Sequence, residues 1–179
     1  MTWFWKRRRE SPPSPQKTRP TVLIHEAIVS ESERLLRDVG DEHAAHEGVV
    51  YWAGRSADGH CLITTCIAPK ASTTWGSFDT SMAANAEVIS FLARHRLELL
   101  AQVHSHPGPY VDHSTGDDCG ALMPYENYLS IVVPHYAQHG LSPLNNCGIH
   151  RFESGQFRRL TDEEIDESFS IVPTCQSFR

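Results

Sequence analysis

The chain has 179 residues, 40% of them hydrophobic and 21% charged, which suits one domain with a real core and leaves too little for two comfortable ones. No apolar run approaches the ~20 residues that cross a bilayer, and the opening MTWFWKRRRE places its charges after the aromatics with no apolar stretch of the secretory kind. Residues 1–20 carry six Lys/Arg against one Glu and the remainder ten against twenty-one, for a net charge of −6, and an acidic body argues against nucleic acid as the main partner.

The five cysteines (Cys61, Cys66, Cys119, Cys147 and Cys175) are odd in number and none shows CxxC spacing. They are expected to be free thiols in a reducing cytoplasm, with no transmembrane segment and no cysteine-built zinc site.

In chain order, residues 1–20 contain SPPSPQKTRP and are expected to be a disordered, basic, Pro-rich arm. Thr21 to Ile24 reads as a short strand. Ile28, Leu35, Leu36 and Val39 recur at helical spacing, which predicts a helix over 26–39. GVVYWAG, residues 48–54, is β-branched and aromatic and ends on Gly54. With the turn RSADGH and the run CLITTCIAP it predicts an antiparallel hairpin. KASTTWGSFD reads as a loop, and the periodicity from Ser81 to His95 as a helix. LELLAQVHSHP, 97–107, is a buried strand stopped by Pro107.

STGDDCGALM is expected to hold a short helix with Ser114 as N-cap. NYLSIVVP is a further buried strand, and NCGIHRF and QFRRL a hairpin turning at ESG. TDEEIDESF has a capping box, Thr161 with Glu164, and starts a helix in an acidic tail, 161–179. This order predicts an α/β or α+β domain over 21–160, with helices against a central mixed sheet.

Residues 102–118, QVHSHPGPYVDHSTGDD, hold three histidines and three aspartates. On a strand, residues two apart share a face, so His104 and His106 project together while Ser105 points away. A helix starting at Ser114 puts Ser114 and Asp117 on one side of it. Two imidazoles, one carboxylate and an open position is the ligand pattern of a catalytic zinc site. The bland alternative is a polar loop that happens to be rich in His. The H-x-E and P-C-x-x-C ligands of zinc deaminases are absent.

HSHP, the seven residues Pro107 to His113, and STGD together fit H-x-H-x7-S-x2-D. In this the chain resembles the JAMM metalloproteases of the JAB1/MPN/Mov34 superfamily, over roughly 21–160. The resemblance implies an MPN/JAB-like fold and one zinc ion per chain on His104, His106 and Asp117. It also implies a glutamate just before an apolar strand; in HEGVVYWAG that is Glu47, although Val50 stands where the family often has a second glycine. Glu26 and Glu87 are rivals without the strand context. In the family's chemistry Glu47 would be the general base for a zinc-activated water, and the Ser114 hydroxyl would stabilise the oxyanion.

The implied activity is that of an isopeptidase that removes a ubiquitin-like protein from a conjugate, or a peptidase that trims the C-terminal tail of such a protein or of a sulfur carrier. The lack of a long insertion suggests a compact, prokaryotic-type member. A non-catalytic MPN scaffold is the alternative. His113 could steady a ligand or line the substrate groove, and Asp118 is expected to lie behind the ligands or face solvent. His25, His43, His46, His60, His95, His135, His139 and His150 have no spacing that implies a site.

Overall fold

The computed structural model describes residues 21–42, 45–58 and 60–173. Its strands are β1 (Thr21–His25), β2 (Val49–Ala57), β3 (His60–Ile67), β4 (Ala71–Thr74), β5 (Ser77–Thr80), β6 (Glu98–Ser105), β7 (Leu129–Val133), β8 (Gly148–Glu153), β9 (Gln156–Arg159) and β10 (Phe169–Val172). The helices are α1 (Glu26–Glu42), α2 (Met82–His95), α3 (Thr115–Gly120) and α4 (Asp162–Ser168). Eight strands form one mixed sheet in the order β10-β1-β3-β2-β6-β7-β8-β9, and β4 and β5 pair apart from it. This is the α+β arrangement expected, a mixed sheet with helices against it. No helix among the described residues is long and apolar enough to cross a membrane.

The period-2 pattern of the strands sends side chains to two distinct packed layers. On one face Val50, Trp52, Val103, Ile131, Val133 and Ile149 meet Ile28, Val29 and Leu36 of α1. The indole of Trp52 is fully buried, and its N–H donates to Ser32 Oγ at 2.8 Å, which removes the cost of hiding a donor. On the other face Val49, Tyr51 and Ala53 pack with Val88 and Leu92 of α2 and with Phe78 of β5. α2 begins where Ser81 accepts from the Ala84 amide and ends at Arg96, whose backbone is left-handed.

The structure departs from the sequence reading in three places. β2 runs on to Ala57 rather than stopping at Gly54, which sits in a β-bulge where a Cβ would lie 1.8 Å from the Leu62 carbonyl oxygen. The stretch read as a loop, 70–79, holds most of the β4–β5 hairpin, turning at Trp75 and Gly76. Val50 is 1% exposed in the core, so a valine is accommodated where the family often has glycine.

Past residue 160, Thr161 and Glu164 form the expected capping box at the start of α4. β10 then pairs with β1 in parallel, so the sheet takes in part of the segment read as a tail. The basic arm, His43, Cys175 and the side chain of Cys119 lie outside the described residues. Cys61, Cys66 and Cys147 are free thiols.

Candidate metal centre

β6 is a central strand, flanked by β2 and β7. Its C-terminal end carries His104 and, one step beyond the last paired residue, His106. Ser105 points to the opposite side, where its Oγ accepts from the Gly48 amide at 2.9 Å and its own amide donates to the Gly48 carbonyl at 3.0 Å. That clasp holds the start of β2 beside the histidines. The preceding residue, Glu47, donates its amide to the Thr74 carbonyl at 2.8 Å, so it lies between β6 and the β4–β5 hairpin.

The third element is α3. Ser114 caps it, accepting from the Asp117 amide at 3.2 Å, while Asp117 Oδ2 accepts from the Ser114 amide at 2.6 Å. This reciprocal box fixes the rotamer of Asp117. Its two oxygens face the two imidazoles: Oδ1 is 3.1 Å from His104 Nε2 and Oδ2 is 3.5 Å from His106 Nε2. Among the described residues, His104, His106 and Asp117 form a group whose ligating atoms all lie within 4.8 Å of one another, and all three are buried.

The donor chemistry fits a cation. His106 Nδ1 donates to the Tyr110 carbonyl at 3.0 Å, which leaves the Nε2 lone pair facing the centre. His104 is 0% exposed, and neither of its ring nitrogens makes a hydrogen bond. Its contact with Asp117 has the distance of an ion pair without hydrogen-bond alignment. A buried imidazole left this way is costly unless something else satisfies it.

Burial disfavours charge on Asp117, but the two imidazoles and the Ser114 amide outweigh it and hold the carboxyl well below the usual carboxylate range. Burial lowers the pKa of His104 in spite of Asp117, so it stays neutral and ready to ligate. For His106 burial works downward, but Asp117, the Tyr110 carbonyl and Glu47 together raise it. Glu47 is 4% exposed, and its carboxyl is pushed up to about 7 by burial, with His106 opposing and Asp117 adding.

Glu47, His106, Ser114 and Asp117 open into one cleft of about 350 Å3. Trp75, 73% exposed, and Tyr110, 59% exposed, stand among its lining residues. The two rival glutamates are elsewhere: Glu26 is exposed in the first turn of α1, and Glu87 is exposed on α2 and paired with Lys70 at 3.3 Å.

Two features escaped sequence reasoning. Tyr136 donates its hydroxyl to the Trp75 carbonyl at 2.8 Å and feels the charge of Glu47, which helps burial to raise its own pKa. It belongs to a turn, His135 to Ala137, whose φ values are all positive, between 51° and 59°. In that turn the amides of His135 and Tyr136 donate to the carbonyls of Gly108 and His106. No local signal announces such a turn in non-glycine residues. His150 is the other: it is buried and stacked on His113 with ring centroids 3.9 Å apart.

An α+β domain with a buried His–His–Asp cluster at the edge of a cleft defines a candidate metalloprotein. The curated sequences contain a relative, probable metalloprotease y4jG of Sinorhizobium fredii (strain NBRC 101917 / NGR234). It is 35% identical over 122 residues, covering 66% of this chain and 74% of that protein. The chain belongs to the JAMM metalloprotease family. No family model matches the sequence.

Among solved structures, a protein from Desulfitobacterium hafniense, known in solution, superposes with a TM-score of 0.62 at 11% identity, over 86% of this chain and 94% of that one, and so shares the fold. The crystal structure of a JAB1/MPN domain protein from Archaeoglobus fulgidus matches with a TM-score of 0.45 at 12% identity, over 79% and 94% of the two chains.

Proposed function

We propose that this protein is a zinc-dependent peptidase or isopeptidase that releases a ubiquitin-like protein from a conjugate or trims the tail of a ubiquitin-like or sulfur-carrier protein. The observation that carries the reading is the meeting of three buried side chains of ligand type, His104, His106 and Asp117, the last two of which line one cleft with Glu47. His104, His106 and Asp117 would hold the ion, and two imidazoles with one carboxylate and an open position suit zinc. When bound there, a divalent cation supplies Lewis acidity, acidifying water and polarising a carbonyl.

The remaining steps belong to the chain. Glu47, poised near neutrality, takes a proton from the attacking water and passes it to the departing amine. Ser114 spends an oxygen lone pair on the Asp117 amide. Its hydroxyl hydrogen remains to donate to the developing oxyanion.

The cleft walls include Gly76, Gly108 and Gly120, where an added Cβ would meet nothing within 4 Å. Glycines at these positions leave room beside Trp75 and Tyr110 for the backbone of an extended peptide tail. The free thiols at Cys61, Cys66 and Cys147 agree with a cytoplasmic setting.

The test is mass spectrometry of C-terminal fusions to ubiquitin-like and sulfur-carrier proteins after incubation with the zinc-loaded chain, alongside Glu47→Gln. Cleavage at the carrier's C-terminus that is lost in Glu47→Gln, with zinc retained, supports the proposal. Intact fusions in both samples would leave the non-catalytic scaffold as the better reading.

A further inference from the structure

The seven-residue loop that returns from His106 to Ser114 does not simply span the gap. Three consecutive residues near its end are each tied to the sheet. The Val111 carbonyl lies so close over Gly148 that a Cβ there would be 1.8 Å from its oxygen. Asp112 accepts from Arg159 of β9 at 2.6 Å. His113 is the most heavily engaged. Its Nε2 lies 2.9 Å from Ser130 Oγ of β7, its ring stacks on His150 of β8, and Phe157 of β9 meets it edge-on at 4.8 Å.

The other ring nitrogen of His113 reaches forward. Nδ1 lies 2.7 Å from Asp118 Oδ1. Ser114 is the N-cap of α3, so His113 is the residue before the cap and Asp118 the fourth inside the helix. Those two positions commonly carry a hydrophobic contact that sets the angle at which a chain enters a helix. Here the same positions carry a hydrogen bond. With Nδ1–H donating to the carboxylate, Nε2 accepts from the Ser130 hydroxyl, and both bonds are satisfied by one neutral tautomer.

Asp117 lies between the two stapled residues, and its own box with Ser114 sets only its rotamer relative to the helix. The His113 bridge ties the start of the helix to the sheet beside the strand that carries His104 and His106, because Ser130 is on β7, the parallel neighbour of β6. Ser130 is directly opposite Gln102, one strand period before His104.

We infer that His113 and Asp118 form a polar staple that fixes the Asp117 carboxylate opposite the His104–His106 pair, making His113 a positioning residue of the metal centre. This rests on the reading of those three residues as ligands. Outer partners that orient ligands commonly affect metal affinity on the order of 10-fold or more.

The test is Co2+ affinity, read from its visible absorption under chelator competition, on the full chain. The variants are Asp118→Ala, Asp118→Asn and His113→Leu, each with the melting temperature of its metal-free form. Asp118→Ala cuts the staple from an exposed side chain and leaves the core intact. It is expected to weaken Co2+ binding about 10-fold, as is His113→Leu. Asp118→Asn, which keeps an oxygen for the Nδ1–H, is expected to stay within about 3-fold of the parent.

Unchanged affinity in Asp118→Ala overturns the inference whatever His113→Leu does, since a loss confined to His113→Leu reports core packing alone. A parent chain that takes up no Co2+ overturns the metal reading, and the staple's role with it.

Discussion

Ser114 and Asp117 hold each other reciprocally: the amide of each donates to the side chain of the other, at 2.6 and 3.2 Å. One of the partners is a candidate ligand and the other a candidate oxyanion donor. Ser114→Ala therefore removes two things at once. Loss of the cap is expected to cost about 1 kcal/mol of stability, and loss of the hydroxyl to lower kcat by about 100-fold. Ser114→Asp retains a capping oxygen without the hydroxyl, so it should recover the melting temperature and not the rate. Thermal melts and single-turnover kinetics on the pair separate the two effects.

Glu47→Gln keeps the shape of the side chain and removes its proton exchange. The turnover number is expected to fall by about 100- to 10,000-fold, with metal content by elemental analysis unchanged.

The same residue makes a pH prediction for the metal-free chain. Its folded pKa of about 7 exceeds the ordinary value of 4.5. Between those two values the folded chain keeps a proton that the unfolded chain releases, so this group weakens folding as pH rises through that window. The metal-free Glu47→Gln chain should lose that dependence. Denaturant midpoints at pH 5 and pH 7.5 for the two chains measure it, and parallel changes in both would remove Glu47 as the source.

His150 works in the opposite sense. Burial, with help from His113 and Arg159, lowers its pKa from 6.5 to about 4. The unfolded chain takes up a proton that the folded chain refuses, so this group's contribution is complete above about 6.5 and is lost as pH falls toward 4. His150→Phe, which keeps a ring to stack on His113, should show a shallower loss of stability between pH 7 and pH 5. Identical slopes in denaturation curves of parent and variant would contradict this.

Tyr136→Phe deletes the bond to the Trp75 carbonyl and leaves the ring. A hydrogen bond of this kind is worth ~1 kcal/mol, or about 5-fold. Because the bond steadies a cleft wall and touches no ligand, the loss is expected in KM, with kcat within about 2-fold and metal affinity unaltered.

Much of this architecture is legible in the sequence for simple reasons. The meeting of His104 and His106 follows from period 2 on a strand that a proline must end, and Ser114 and Asp117 announce their helix by capping chemistry. Buried, apolar strands such as β6 and β7 announce themselves by composition. β4 and β5 do not, because each has four residues, and their polar alternation resembles a loop until the Trp75–Gly76 turn is recognised. β10 was hidden by the acidic helix before it.

The roles of His113, Tyr136 and His150 depend on which strands become neighbours. Ser130 and His150 face each other across β7 and β8, twenty residues apart in the chain, and no local pattern encodes that pairing.

Gly148 carries no chemistry, yet it decides how closely the loop after His106 can lie on β8. A single methyl group there would collide with the Val111 carbonyl and lift residues 111–113 from their seats. The smallest possible side chain, added to a strand that carries none of the candidate ligands, is thus expected to disturb the seat of Asp117 without replacing any candidate ligand. A search for inactivating substitutions in this chain should include that quiet position along with the histidines.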